Sequence, residues 1–180
     1  MLRNLIRIKI STVIEYLRTL WIESRISQQR QLLHSNQNNL VLHGPIYISL
    51  PRSLSLGHHV VLNEGAYFVT EGGLSIGSYV HVARNCTIFT VNHNYRSIKA
   101  IPYDESIINK PVIIKDYVWI GANVSIIPGV TIEEGAIVGM GAVVTKDIPK
   151  GAIVGGNPAQ VIGYRDLEAF ERLKREKKYH

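Results

Sequence analysis

From Val112 to Asp147 the chain advances in blocks of six residues: VIIKDY, VWIGAN, VSIIPG, VTIEEG, AIVGMG and AVVTKD. Each block opens on a small or branched apolar residue, repeats an aliphatic at its third place, and closes on polar residues or glycine. The same phase runs earlier through Leu54-Ser-Leu-Gly-His-His, Val60-Val-Leu-Asn-Glu-Gly, Leu74-Ser-Ile-Gly-Ser-Tyr and Val80-His-Val-Ala-Arg-Asn. A short fixed period predicts a solenoid, because each rung buries its apolar face only by stacking on its neighbours.

The blocks read as short strands, three to a coil. Ile120, Ile126, Ile132, Val138 and Val144 then point inward, with Val118, Val124, Val130, Ala136 and Ala142 as smaller inward companions. Small partners leave room for the opposing walls of a narrow prism. Ala122-Asn123, Pro128-Gly129, Glu134-Gly135 and Met140-Gly141 fall at the corners, where tight turns need left-handed backbone angles. Cys86 occupies an inward small position and is expected to pack in the core; nothing near it in sequence would lower its pKa.

Repeats start near Val41 and run to about Val161, with two interruptions. Two extra residues enter at Val69–Gly73, and a long polar segment separates Phe89 from Pro111. The second is too long for a turn and must leave the solenoid as an excursion, the kind of loop that carries function. The expected organisation is an N-terminal helical segment over 1–35, a solenoid domain over 40–163 and a C-terminal helix over 164–180. The first helix is expected to bend or break near Ser24–Ser27, and a polar linker follows at Ser35–Asn39. Leu167, Phe170 and Leu173 share one side of the last helix.

A chain of 180 residues with 46% hydrophobic and 19% charged residues suits one folded domain with small appendages. A single cysteine excludes an internal disulfide and fits a reducing compartment. The formal charge of +6 sits at the ends: residues 1–33 carry six Lys/Arg against two acids, 164–180 six against four, and 34–163 eight of each. The repeat body is therefore neutral, and no interleaving of aromatic and basic residues suggests a nucleic-acid platform. Leu2, Leu5, Ile6, Val13, Ile14, Leu17, Leu20 and Trp21 form an apolar stripe broken by charges. That pattern describes an amphipathic helix, not a span or a signal peptide. A cytoplasmic protein is expected, with this basic helix available for peripheral contact with the inner membrane.

The blocks Leu56-Gly-His-His-Val60, Ile76-Gly-Ser-Tyr-Val80, Ile120-Gly-Ala-Asn-Val124 and Val138-Gly-Met-Gly-Ala142 resemble those of the hexapeptide-repeat acyltransferases. The run from Pro111 to Pro158 is similar to the maltose/galactoside acetyltransferase branch and its polysaccharide-modifying relatives. The resemblance covers roughly residues 54–163. It implies an all-β, left-handed parallel β-helix with an extruded loop at about 90–110. The left hand is the family's, since spacing cannot give it and the general crossover rule favours the right. It also implies homotrimers with active sites between subunits and acetyl-CoA as cosubstrate.

Acyl transfer from a thioester needs a base for the acceptor's proton and donors for the tetrahedral oxyanion. His93, in Thr90-Val-Asn-His-Asn, aligns with the family's catalytic histidine. Imidazole suits the task because its ordinary titration range leaves it largely neutral at cytoplasmic pH. Asn63 and Glu71 resemble acceptor-binding positions, with a glutamate where relatives carry aspartate. Trp119, Gly121, Ala122, Met140, Gly141, Thr145 and Lys146 match the coenzyme A groove, Lys146 near the phosphates. Arginines that some relatives place after Gly156-Asn-Pro-Ala159 are replaced by Gln160 and Gly163, leaving Arg165 or the terminal lysines for that role. Asp104 or Glu105 is a candidate to orient the histidine or reach a sugar.

His58 and His59 are expected to face solvent at a corner, and His81 to point outward from a strand. His34, His43 and His180 have no supporting context. No two histidines are spaced five apart, unlike the zinc-binding branch of the family, so no metal is expected. The leading reading is acetyl transfer from acetyl-CoA to a sugar hydroxyl in capsular, exopolysaccharide or lipopolysaccharide biosynthesis. N-acetylation of an amino sugar or xenobiotic, and a non-catalytic trimeric scaffold, are the alternatives.

Overall fold

The computed structural model describes residues 2–33 and 39–179. Helix α1 (Leu2–Leu32) comes first. The first turn of the solenoid holds β1 (Val41–Leu42), β2 (Tyr47–Ile48) and β3 (Leu54–Leu56); the second holds β4 (Val61–Leu62), β5 (Tyr67–Val69) and β6 (Leu74–Ile76). The third starts with β7 (His81–Val82) and β8 (Thr87–Phe89), and the chain then leaves through β9 (Val91–His93) and returns through β10 (Ile107–Asn109). It resumes with β11 (Val112–Ile114), β12 (Trp119–Ile120), β13 (Ser125–Ile126) and β14 (Thr131–Ile132). The last turns hold β15 (Ile137–Val138), β16 (Val143–Val144), β17 (Ala152–Gly155) and β18 (Gln160–Tyr164), before α2 (Leu167–Arg175).

Three parallel faces result. Face I stacks β1, β4, β7, β12, β15 and β17; face II stacks β2, β5, β8, β13 and β16; face III stacks β3, β6, β11 and β14. Each strand pairs with its counterpart one turn away, as in Trp119 against His81 and Ile137. The core is the shared interior: Val60, Leu62, Val80, Val82, Ile120, Val138 and Val144 are each at most 1% exposed. The inward set read from the six-residue phase is buried throughout. Cys86 lies there too, and burial pushes its thiol up to about 12.

The corner between faces III and I departs from the expected glycine and asparagine pattern. His59, Tyr79 and Tyr117 occupy it at φ of 55°, 57° and 59°. A left-handed residue with a Cβ costs roughly 1–2 kcal/mol. Ring stacking compensates: His59 lies 4.7 Å from Tyr79, and Tyr79 lies 5.4 Å from Tyr117, all nearly parallel. Gly135 and Gly151 continue the corner, and their missing side chains seat α2. A Cβ on Gly135 would stand 2.8 Å from Phe170, and one on Gly151 would stand 2.4 Å from Leu167. Phe170 then meets Tyr117 edge-on at 5.9 Å. Asp166 caps the helix by accepting from Ala169 N at 2.9 Å.

Two expectations need correction. α1 runs unbroken through Ser24–Ser27, because serines lower helix propensity only slightly and packing overrides them. Its side chains at Ile22, Ile26, Gln29 and Leu33 are partly buried, and Gln29 bonds both N and O of Ile46, so the end of α1 covers the first turn of the prism. The parallel repeat also ends at β17: β18 folds back antiparallel on it with a bulge at Ile153/Val154. Of the linker expected at Ser35–Asn39, only Asn39 lies among the described residues. His34, His180 and the side chains of Leu2, Leu5 and Ile6 lie outside them.

Candidate active site

The excursion begins at the corner between faces II and III, and buried threonines fix its point of departure. Thr70 and Thr90 are fully buried where the repeat would carry an aliphatic. Thr90 Oγ1 donates to Val69 O at 2.8 Å and accepts from Gly72 N at 2.9 Å. A Cβ on Gly72 would lie 2.0 Å from Thr90 O, so only glycine permits this approach. Thr70 Oγ1 similarly donates to Leu50 O and accepts from Leu50 N. Sequence reasoning missed this pair; its signal is a threonine in the apolar phase beside each interruption.

β9 and β10 then pair antiparallel, His93 opposite Ile107, and close the excursion at its base. His93 is exposed at the end of β9, its backbone N bonded to Asn92 Oδ1 at 2.9 Å. Tyr103 lies flat against its imidazole, with centroids 3.9 Å apart and planes 12° from parallel. Asp104 makes its contacts elsewhere. Its carboxylate accepts from Asn94 Nδ2 at 2.9 Å and Ser106 N at 2.8 Å, and hydrogen bonds led by Ser97 hold it below the usual carboxylate range. It shapes the loop that carries Tyr103.

The residues singled out from sequence divide between two corners. Glu71, Thr145 and Lys146 follow β5 and β16, at the corner where His93 departs. Glu71 is exposed and accepts from Ser49 Oγ at 2.8 Å. Asn63, Gly121, Ala122, Met140 and Gly141 follow β4, β12 and β15, at the corner between faces I and II. Asn63 is not left-handed; its Nδ2 donates to Val82 O at 2.8 Å.

The second corner is tight. A Cβ on Gly121 would stand 2.7 Å from Met140 N and 2.9 Å from Val138 O. Gly121 N donates to Val138 O at 2.8 Å, and Ala122 O accepts from Gly141 N at 2.8 Å. Among the described residues Ala122 N meets no acceptor. Trp119 projects from face I beside this corner, 54% exposed. An outward tryptophan of that exposure is uncovered apolar area that a ligand or another subunit would bury.

Arg165, Lys150, Lys174 and Lys178 at the C-terminal end are occupied. Arg165 Nε donates to Gly135 O at 2.6 Å, and its guanidinium lies over Phe170. Glu134 bonds Lys150 at 2.8 Å and also Lys174, while Lys150 bonds Glu171 at 2.6 Å. Lys178 pairs with Glu176 at 2.9 Å. The Lys174–Glu134 and Lys150–Glu171 pairs hold α2 to the prism.

Residues 111–146 match the family described as bacterial transferase hexapeptide (six repeats). Galactoside O-acetyltransferase of Escherichia coli is 30% identical over 141 residues, covering 78% of this chain and 68% of that protein. A hexapeptide-repeat acetyltransferase of Vibrio cholerae, solved with acetyl coenzyme A, superposes with a TM-score of 0.65 at 29% identity, covering 79% of this chain and 76% of the other. A maltose O-acetyltransferase of Clostridium difficile 630 gives a TM-score of 0.64 at 34% identity, covering 69% of this chain and 66% of the other.

Proposed function

This chain belongs to the hexapeptide-repeat acetyltransferases, and we propose that it moves acetyl from acetyl-CoA to a sugar hydroxyl, with His93 as general base. The observation that carries this reading is the exposed imidazole of His93, held against Tyr103 at the corner it shares with Glu71. His93 takes the hydroxyl proton as the sugar oxygen attacks the thioester carbonyl. Ala122 N–H donates to the oxyanion that forms, since the neighbouring Gly121 N–H is bound. The tetrahedral species collapses with loss of the coenzyme thiolate, and His93 returns its proton to that sulfur. Asn63 and Glu71 bind the acceptor. Trp119, Gly121, Ala122, Met140, Gly141, Thr145 and Lys146 hold the donor, with Trp119 covering the pantetheine arm and Lys146 facing phosphate.

Those roles lie at two corners of one prism, so a complete site assembles between copies in a homotrimer: one supplies His93, the next Trp119 and Ala122. Capsular, extracellular or lipopolysaccharide assembly is the proposed setting. The test is acetyl-CoA turnover against a panel of hydroxyl and amino sugars. His93→Ala is expected to slow it about 100- to 10,000-fold with trimers intact. Coenzyme A at 100 times its Kd is expected to stabilise the fold by about 2.7 kcal/mol, and no stabilisation would favour a scaffold without catalysis.

A further inference from the structure

α1 carries two apolar stripes, and among the described residues only one of them has a partner. Ile22, Ile26, Gln29 and Leu33 follow the spacing of one helix face and sit on the first turn of the prism. Val13, Ile14, Leu17, Leu20 and Trp21 lie on the other side, with Leu17 57% and Trp21 58% exposed. Every described side chain from Thr12 to Trp21 is exposed, so this part of the helix stands clear of the prism.

The charges around the open stripe are sorted by sign. At roughly 100° per residue, Arg18 and Arg25 lie along one edge of the stripe, Glu15 falls opposite it, and Glu23 lies farther round on the other side. Neither arginine joins an ion pair among the described residues; Arg25 lies over the Trp21 ring, 6.0 Å from its centroid. Residues 1–33 carry six basic side chains against two acids. Among the described residues no helix is long and apolar enough to cross a membrane.

We propose that this stripe of α1 lies in the surface of an anionic lipid bilayer, with Val13, Leu17, Leu20 and Trp21 in the acyl boundary and Arg18 and Arg25 at the headgroups. Apolar residues edged by cations with aliphatic stems match the interface of such a bilayer. A second copy of the helix is a poorer occupant, because antiparallel packing of stripe on stripe would set the two arginine edges side by side. Lipid phosphates at the same place are attractive to them.

The test is flotation of the full-length protein with phosphatidylcholine vesicles, with and without one quarter phosphatidylglycerol, alongside light scattering of the free protein. Binding is expected to be about tenfold or more stronger on the anionic vesicles, and each arginine-to-glutamine change at Arg18 or Arg25 should weaken it about fivefold. Leu17→Glu with Trp21→Glu should abolish binding while leaving oligomeric mass and melting temperature unchanged. Failure of the wild-type chain to float with anionic vesicles overturns the proposal, as does full binding by the double variant. A double variant of reduced oligomeric mass overturns it in favour of contact between copies. None of these readouts depends on acetyl transfer.

Discussion

The rings of His93 and Tyr103 lie face to face, 3.9 Å between centroids, although nine residues of irregular chain separate them. A stack of this kind restricts the imidazole to one orientation and is worth about 0.5–1.5 kcal/mol. Tyr103→Ala should therefore lower kcat about 3- to 10-fold. Tyr103→Phe retains the ring and should turn over at close to the wild-type rate. The two rates measured side by side separate orientation by the ring from any use of the hydroxyl.

Thr90 is expected to be intolerant of its closest apolar mimic. Thr90→Val keeps the shape but strands Gly72 N, which donates to Oγ1, and leaves Val69 O with only the bond from Thr90 N. The expected loss is about 1–3 kcal/mol in denaturant unfolding. Because β9 starts one residue later, kcat should fall as well.

Gly121→Ala should destabilise the fold by about 1–3 kcal/mol, since the new methyl meets backbone atoms with no flexible end to yield. The clash at 2.7 Å with Met140 N and 2.9 Å with Val138 O also shifts Ala122 N. A lowered melting temperature together with a raised KM for acetyl-CoA is the expected pair of readings.

Mixed trimers provide a test of the division between corners. His93→Ala and Trp119→Ala subunits, each inactive or nearly so alone, should regain activity when refolded or expressed together. Recovery requires an interface at which one copy brings an intact His93 and its neighbour an intact Trp119. Absence of recovery in mixed trimers would place the site within one chain.

Acid should loosen α2 before it unfolds the prism. Burial raises the Glu134 pKa, but hydrogen bonds from Lys150 and Lys174 outweigh it and hold the carboxyl below its ordinary 4.5. A depressed carboxylate contributes stability that is present above 4.5 and is lost as pH falls through the lower folded value. The same pairing holds Lys150 above its usual range, where it stays charged throughout this window. Melting temperature should drop below about pH 4.5, and Glu134→Gln should flatten that dependence.

The prism was legible in the sequence because its determinant is burial at a fixed period, visible in Ile120, Ile126, Ile132, Val138 and Val144 without any knowledge of partners. His93 stood out through its alignment at the break in that period. Other features depend on residues brought together only by folding. Tyr103 carries no periodic signal, and its stack forms across the excursion. The seated stripe of α1 acquires meaning only from the open end of the first turn. Tyr79 and Tyr117 defied the glycine-and-asparagine expectation for corners because each aromatic ring supports the next. The phosphate role considered for Arg165 met a competing bond to Gly135 O that no local pattern announces.

The antiparallel stem of β9 and β10 has an evolutionary corollary. Residues 94–106 hang from a closed base, so inserting or deleting chain there changes neither the pitch of the coils nor the stacking of their aliphatics. The appendage can thus be lengthened, shortened or rewritten over generations while the prism that carries it keeps its geometry.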